Sequence, residues 1–213
     1  MRMHTRTLRT LFLQILALAV LAAIGGAAWA QNRPPVALDR NALSQGEDQP
    51  GYVPTPEEEN LPAQYRRQLV FYRTNEPPGT IVVDTPGRFL YLVQDNSRAI
   101  RYGIGVGRDG FQWSGLLKIS RKAEWPDWTP PPEMIERQPY LPRFMAGGPG
   151  NPLGARALYL GNTVYRLHGT NMPQTIGTSV SSGCFRLANE EIIDLFERVP
   201  VGTKVVVRQQ KTL

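Results

Sequence analysis

Cysteine and histidine are scarce in this chain. Its 213 residues contain one cysteine, Cys184, and two histidines, His4 and His168. A single cysteine excludes a disulfide within the chain. A structural zinc site built from cysteine and histidine alone is also excluded, since such a site needs four ligands.

The first 30 residues have the pattern of a secretory signal peptide. Arg2, Arg6 and Arg9 form a basic head, an apolar run extends to position 30, and Ala28-Trp29-Ala30 provides the small residues that a signal peptidase recognises. The alternative is an uncleaved membrane anchor, because the run is just long enough to span a bilayer. No cysteine directly follows the run, as a lipoprotein anchor would require. We expect an exported protein of the periplasm or cell envelope, without membrane attachment after cleavage.

Charge is also nearly balanced once the signal is removed. The whole chain carries a net charge of +6, and loss of the three signal-peptide arginines lowers it to +3. This small excess gives no evidence for a nucleic-acid partner, and export argues against one.

His4 leaves with the signal, so Cys184 and His168 are the only residues of their kinds in the mature chain. An exported lone thiol is exposed to oxidants and needs a functional reason.

The remaining chain divides by composition. Residues 31–78 form a Pro-rich linker and lead-in segment, in which 31–60 are expected to be disordered and 61–75 to pack on the domain. Residues 79–208 form one domain, and 209–213 a short tail. A long irregular insertion, residues 121–155, is of the size that usually serves as a lid or binding loop.

The domain is predicted to be mainly β. The helix predicted over Glu190–Arg198 has Asn189 as its N-cap and acidic residues in its first turn. Phe89 and Tyr91 are expected to be core residues of the second strand. The predicted strands are 80–84, 88–94, 98–106, 116–120, 157–160, 164–168 and 204–208.

Two short segments carry the candidate chemistry. A cysteine nucleophile needs a base or a positive neighbour to form thiolate. His168 ends a strand and can be that base, while Cys184 is expected just ahead of a helix N-terminus, where the dipole favours an anion. The N–H groups of Gly183 and Cys184 are candidate oxyanion donors. Arg186 is a candidate for holding a substrate carboxylate or favouring the thiolate. The alternative is a buried structural cysteine and a core histidine, and the residues alone leave both open.

The insertion contains further candidates. Trp125 and Trp128 are candidates for stacking on a sugar or a stem peptide, and the alternative is that they anchor the insertion by packing. The Gly-rich stretch 147–154 lacks the Gly-Lys-Ser/Thr of a phosphate loop, so a structural turn is expected there.

These motifs together resemble the L,D-transpeptidase catalytic domain of the YkuD type. The motifs are His168-Gly169-Thr170-Asn171, then Ile176-Gly177, then Ser181-Ser182-Gly183-Cys184-Phe185-Arg186-Leu187. The likeness runs from about 79 to 208, and it implies a β-sandwich-like fold with one short helix after the cysteine. One departure stands out, because the family commonly has Ser-His-Gly-Cys where this chain has Ser182 in place of the histidine.

The resemblance implies a role for each matching residue. Cys184 is the nucleophile, and His168 is the general base, held by the backbone carbonyl of Gly169. Gly183 contributes to the oxyanion hole, and Arg186 and Ser182 are candidate substrate-binding residues. No metal or cofactor is implied.

The resemblance also implies the reaction. Cys184 takes the acyl group of a peptidoglycan tetrapeptide stem, releasing the terminal D-Ala, and passes it to an acceptor amine. The acceptor is a second stem (a 3-3 cross-link), a lysine of an envelope protein or a free D-amino acid. The alternatives are an L,D-carboxypeptidase-type hydrolase that uses water, and a catalytically dead peptidoglycan-binding module.

Overall fold

One nine-stranded β-sheet forms the frame of the protein. The structure, a computed structural model, describes residues 49–209. The predicted signal peptide, linker residues 31–48 and tail residues 210–213 lie outside them. The strands are β1 Gln68–Phe71, β2 Ile81–Asp84, β3 Phe89–Val93, β4 Arg98–Gly103, β5 Val106–Gly107, β6 Gly115–Glu124, β7 Arg156–Leu160, β8 Arg166–His168, β9 Ser179–Ser181, β10 Phe185–Arg186 and β11 Lys204–Arg208.

The strand β6 joins the two halves of this sheet. The nine strands run in the order β1-β4-β3-β2-β11-β6-β7-β8-β10, while β5 and β9 form a separate parallel pair. The first half of β6 pairs with β11 and the second half with β7, with a register shift between Ile119 and Arg121. One hydrophobic core contains side chains from both halves, such as Ile81 and Leu158. The predicted mainly-β, sandwich-like fold is confirmed.

The alternation of strand side chains decides which residues of β3 enter the core. Leu90 and Leu92 are buried, whereas Phe89 and Tyr91 are only half-buried on the other face. Successive strand side chains point to opposite faces, and only the leucines face the main hydrophobic core. The prediction of Phe89 and Tyr91 as core residues was therefore wrong. Tyr91 instead stacks on Tyr72, with ring centroids 4.2 Å apart.

Two α-helices are present in the described part of the chain: α1 Pro132–Arg137 and α2 Asn189–Arg198. Helix α2 packs Ile192 and Leu195 into the core, and each such side chain contributes about 1.5–3 kcal/mol of burial free energy. Asn189 is the first helical residue and not the N-cap, because Ala188 holds that position without a side-chain hydrogen bond. That part of the helix prediction was wrong.

The segment before residue 79 packs on the domain. Strand β1 pairs with β4 at the sheet edge. Arg67 forms an ion pair of 2.8 Å with Asp194 of α2, and its N–H donates to Glu191. Further upstream, the N–H of Gly51 donates to the carbonyl of Gly150 at 2.8 Å. The expectation of disorder is therefore wrong for residues 49–60.

The insertion has its own small core. Strand β6 extends to Glu124, helix α1 follows, and four buried side chains, Trp128, Met134, Leu141 and Leu153, cluster together. Helix α1 was not predicted; it begins at the third of three consecutive prolines and spans only six residues. Among residues 49–209, no helix is long and apolar enough to cross a membrane.

Candidate active site

His168 ends strand β8 with its ring inside the protein. The residue is 3% exposed, and its Nδ1 lies 2.6 Å from the carbonyl oxygen of Gly169. A carbonyl can only accept, so this contact places the imidazole proton on Nδ1 and leaves the Nε2 lone pair as the basic site. The neighbour is the one that the family resemblance implies, and the catalytic role of Gly169 stays a prediction.

Burial and charge both keep this imidazole neutral. Burial lowers the pKa of His168 to about 3, and the positive charges of Arg186 and Arg166 act in the same direction. The hydrogen bond to Gly169 acts in the opposite direction and is outweighed. The neutral ring is the form that can accept a proton, so His168 is in its basic form throughout the neutral pH range.

Sheet pairing places the segment that carries Cys184 beside the strand that ends at His168. Strand β10 lies parallel to β8, with Arg186 opposite His168 and Phe185 opposite Leu167. Adjacent strands lie roughly 4.8 Å apart, so Cys184, the residue directly before β10, lies one strand away from β8. Cys184 is half-buried, and its Sγ lies 3.7 Å from the carbonyl oxygen of Val164.

The sequence places Cys184 just ahead of the helix predicted from Glu190, and in the structure a short strand separates the two. Strand β10 comes first, and α2 begins at Asn189. A helix dipole acts mainly within its first turn, so α2 is not placed to stabilise a thiolate by chain adjacency. The nearby positive charge comes instead from arginines of β8 and β10.

The turn that carries Cys184 is closed by Ser181. The N–H of Gly183 donates to Ser181 Oγ at 3.2 Å, and that hydroxyl donates to the carbonyl of Cys184 at 2.5 Å. The N–H of Gly183 is therefore used inside the turn, which contradicts its predicted place in an oxyanion hole. Of the two predicted donors, the N–H of Cys184 is the one that stays a candidate.

Two aromatic side chains that sequence analysis left without a role hold this turn. Trp113 donates its indole N–H to the carbonyl oxygen of Gly183 at 2.8 Å and stacks on Tyr165, with centroids 4.4 Å apart. Gly183 has φ +105°, and an added Cβ would lie 2.8 Å from the Tyr165 ring. The only feature of the sequence that could have indicated a role for Trp113 was its position just before the predicted strand 116–120.

Asn189 connects the loop that follows His168 to the end of the insertion. Its Oδ1 accepts the N–H of Ala155 at 2.9 Å and the N–H of Thr170 at 3.2 Å. A Cβ on Gly154 or on Gly169 would overlap this oxygen. The side chain predicted as a helix cap thus fixes the backbone directly after Gly169 to the end of the insertion at Ala155.

Arg186 lies beneath the site and not on its surface. The residue is 2% exposed, and its backbone exchanges two hydrogen bonds of 2.9 Å with Gly105. This burial contradicts direct contact with a substrate carboxylate. The guanidinium acts at a distance, since its charge contributes to the low pKa of His168.

Ser182, the residue that departs from the family pattern, contacts the insertion. Arg137 at the end of α1 donates from Nη2 to Ser182 Oγ at 3.2 Å. The two residues are 45 positions apart in sequence. The structure thus brings an arginine of the insertion to the position where the family commonly has a histidine.

The two tryptophans of the insertion differ in surroundings. Trp128 is 2% exposed within the second core cluster, so its predicted contact with substrate was wrong and the packing alternative holds. Trp125 is 43% exposed, and its backbone N–H donates to Ala155. Substrate stacking by Trp125 stays a prediction.

A glycine pattern before the site resembles a dinucleotide-binding turn. Gly105, Gly107 and Gly110 have the Gly-x-Gly-x-x-Gly spacing, but such a turn must open a helix. Here β5 leads into a turn closed by the N–H of Phe111 and the carbonyl of Arg108, and the next element is β6. Gly107 serves packing, since an added Cβ would lie 2.7 Å from the Phe111 carbonyl oxygen.

The arrangement suits acyl transfer through a thiol. It combines a partly exposed sulfur, a buried neutral imidazole and a turn held rigid by Ser181 and Trp113. Within residues 49–209, no group of three or more His, Cys, Asp or Glu side chains is placed to hold a metal ion.

Two solved structures are similar to this chain. One, described as a "Probable carnitine operon oxidoreductase caia" from Brucella melitensis, is 48% identical, covers 72% of this chain and 100% of that one, and has a TM-score of 0.47. The other, the "Ldtfm-avibactam carbamoyl enzyme", is 16% identical over 64% of this chain and 51% of that one. Its TM-score of 0.50 shows a shared fold.

Sequence comparison gives the family. The "Probable L,D-transpeptidase ErfK/SrfK" of Escherichia coli K12 is 39% identical over 138 residues, which are 62% of this chain and 44% of the relative. The chain thus spans less than half the length of the first curated relatives that it matches. The family model of the L,D-transpeptidase catalytic domain, YkuD, matches residues 78–207. The chain therefore belongs to the L,D-transpeptidase catalytic domain family.

Proposed function

We propose that this protein is an exported cysteine acyltransferase of peptidoglycan, an L,D-transpeptidase. It takes the acyl group of a tetrapeptide stem, with release of the terminal D-Ala, and transfers it to an acceptor amine. The observation that carries the proposal is the 2.6 Å contact between His168 Nδ1 and the Gly169 carbonyl, which fixes a neutral imidazole one strand away from Cys184.

The first half of the proposed reaction forms a thioester. Nε2 of His168 takes the proton of the Cys184 thiol, and the thiolate attacks the amide carbonyl before the terminal D-Ala. The N–H of Cys184 is the proposed donor to the tetrahedral oxyanion. His168 then gives its proton to the leaving D-Ala amine, the C–N bond breaks, and the acyl group stays on sulfur.

The second half transfers the acyl group. An acceptor amine attacks the thioester carbonyl while His168 takes its proton, the C–S bond breaks, and the proton returns to the sulfur of Cys184. The proposed acceptors are a second stem, giving a 3-3 cross-link, or a lysine of an envelope protein. With water as acceptor, the same site is an L,D-carboxypeptidase-type hydrolase.

Acylation by a carbapenem distinguishes an active enzyme from a catalytically dead peptidoglycan-binding module. Wild-type protein is incubated with a carbapenem, whose strained β-lactam carbonyl acylates nucleophiles, and its intact mass is measured. We expect one adduct on the wild type and none on Cys184→Ala. An equal adduct on Cys184→Ala, or none on the wild type, would contradict the proposal.

Product analysis then separates transfer from hydrolysis. Tetrapeptide muropeptides are incubated with the enzyme, and the products are resolved by mass. Cross-linked dimers with released D-Ala support the transpeptidase, whereas tripeptides alone identify the hydrolase. His168→Ala should abolish both activities, and near-normal turnover in that variant would contradict the proposed pair.

A further inference from the structure

Two arginines from distant segments hold one phenylalanine ring beside the cysteine turn. The Arg108 guanidinium carbon lies 4.3 Å from the centroid of the Phe111 ring, and that of Arg137 lies 4.8 Å from it. Arg108 follows β5, whereas Arg137 is the last residue of α1 in the insertion. The ring therefore joins the insertion to the frame of the site through two cation–π contacts.

Both arginines are also attached to the turn itself. The backbone N–H of Arg108 donates to the Ser181 carbonyl at 3.0 Å, and Arg137 Nη2 donates to Ser182 Oγ at 3.2 Å. The carbonyl oxygen of Phe111 lies 3.1 Å from where a Cβ on Gly183 would be. Arg108 through its backbone and Arg137 through its guanidinium are thus both attached to the segment that ends at Cys184.

The positive charges in this place are close enough to interact. Burial lowers the pKa of Arg108, and the charges of Arg137 and then Arg186 lower it further. Like charges held together favour the binding of an anion, which relieves their repulsion. Stacking on a ring uses the face of a guanidinium, and the N–H edge is the part that matches a carboxylate.

Resting on the proposed function, we propose that Arg108 and Arg137 form a carboxylate-binding subsite for the donor stem peptide. Ser182 is a neutral side chain where the family commonly has histidine, and the insertion supplies a permanent charge at that place through Arg137. The bound group is a carboxylate of the stem, either the C-terminal one or that of the third residue's side chain. The insertion thereby contributes to substrate selection.

The test measures kcat and KM for D-Ala release from a free tetrapeptide and from two amidated forms. One form carries a carboxamide at the C-terminus and the other at the side-chain carboxylate of the third residue. The enzymes are the wild type, Arg137→Gln, Arg108→Gln, Arg137→Lys and the control Arg143→Gln, which removes an exposed charge elsewhere in the insertion.

We expect Arg137→Gln and Arg108→Gln to raise KM for the free tetrapeptide about ten-fold with little change in kcat, as loss of a charged hydrogen bond does. Arg137→Lys should recover part of the loss, and Arg143→Gln should match the wild type. The amidated form that lacks the bound carboxylate should show the raised KM already in the wild type, with no further loss in Arg137→Gln. That form identifies which carboxylate is held.

A purely structural role of Arg137 would raise KM equally for free and amidated substrates, and that result overturns the subsite. It would be overturned as well if Arg137→Gln left every KM unchanged. Failure of the proposed function is distinguishable, because the wild type would then release no D-Ala from any of the peptides and form no carbapenem adduct.

Discussion

The indole N–H of Trp113 donates at 2.8 Å to the carbonyl oxygen of Gly183, the residue directly before the candidate nucleophile. Trp113 precedes β6, so this bond fixes the cysteine turn against a different part of the sheet. The same ring stacks on Tyr165 and tilts against Phe185, with centroids 4.4 Å and 5.6 Å away. The position of Cys184 thus depends on a side chain distant in sequence.

Trp113→Phe should separate this hydrogen bond from the stacking. Phenylalanine keeps an aromatic face but leaves the Gly183 carbonyl without its donor, which costs about 1–3 kcal/mol. We expect a lower melting temperature and a carbapenem acylation rate reduced about ten-fold. Stopped-flow acylation and thermal unfolding measure the two effects. A variant as fast as the wild type would show that the indole N–H does not position the turn.

Gly183→Ala should damage the site more than backbone strain alone explains. The residue has φ +105°, and the added methyl would lie 2.8 Å from Tyr165 and 3.1 Å from the Phe111 carbonyl. The matched control is Gly202→Ala, because Gly202 has φ +93° with nothing within 4 Å of the added Cβ. The control should lose only about 1 kcal/mol of stability and keep its acylation rate.

The carbapenem acylation rates of the two alanine variants distinguish backbone strain from crowding by the added methyl group. We expect Gly183→Ala to fold but to form the carbapenem adduct at least ten-fold more slowly than Gly202→Ala. Equal acylation rates would mean that the aromatic and carbonyl contacts around Gly183 do not shape the nucleophile turn.

Much of the frame could be predicted because alternating apolar residues and turn residues are local signals. The strands around Ile81, Leu90 and Val205 followed from such patterns, and the sole cysteine and sole mature histidine left few candidates for the chemistry. Which face of β3 packs on the core was missed, because the aromatic side chains of Phe89 and Tyr91 are as large as those of Leu90 and Leu92 and are equally plausible core residues by pattern. The buried face of β3 is decided by the packing of both halves of the sheet on one core.

The surroundings of the candidate nucleophile could not be predicted, because they depend on contacts between distant segments. Trp113 meets Gly183 across 70 positions, and Arg137 meets Ser182 across 45. The use of the Gly183 N–H by Ser181 also depends on a turn conformation with positive φ, which spacing alone does not give. Sequence motifs therefore located the candidate residues, and the fold determined what holds them.

Asn189→Ala should loosen the loop that orients His168. The substitution removes the oxygen that accepts the N–H groups of Ala155 and Thr170, and loss of such bonds in a partly buried place costs about 1–3 kcal/mol. Asn189→Asp keeps an acceptor oxygen and places a negative charge at the start of α2, where the dipole favours it. We expect Asp to retain most of the stability and of the D-Ala release that Ala loses.

Thermal unfolding and D-Ala release from tetrapeptide measure these two properties. If Asn189→Ala were as stable and as active as the wild type, the side chain would not be the link between the insertion and the histidine loop. If Asp failed as badly as Ala, the two acceptor contacts would not explain the role of Asn189.

The low pKa of buried His168 predicts how the unfolding free energy of the protein depends on pH. In the unfolded chain the imidazole has its ordinary pKa of about 6.5, whereas in the folded protein the pKa is about 3. Between these values the unfolded state binds a proton that the folded state does not. Falling pH therefore favours unfolding, by up to about 1.4 kcal/mol per pH unit, and no such change occurs above pH 6.5.

His168→Gln removes this titration and should flatten the acid side of the stability curve. Urea unfolding of both proteins, measured at intervals from pH 8 to pH 4.5, gives the difference in unfolding free energy that belongs to His168. We expect that difference to be constant above pH 6.5 and to shift in favour of the variant below it, because all other titrating groups are shared. A difference that stayed constant across the whole range would show that His168 can take up a proton in the folded protein as readily as in the unfolded chain. The imidazole would then not be held neutral by burial and by the charges of Arg186 and Arg166.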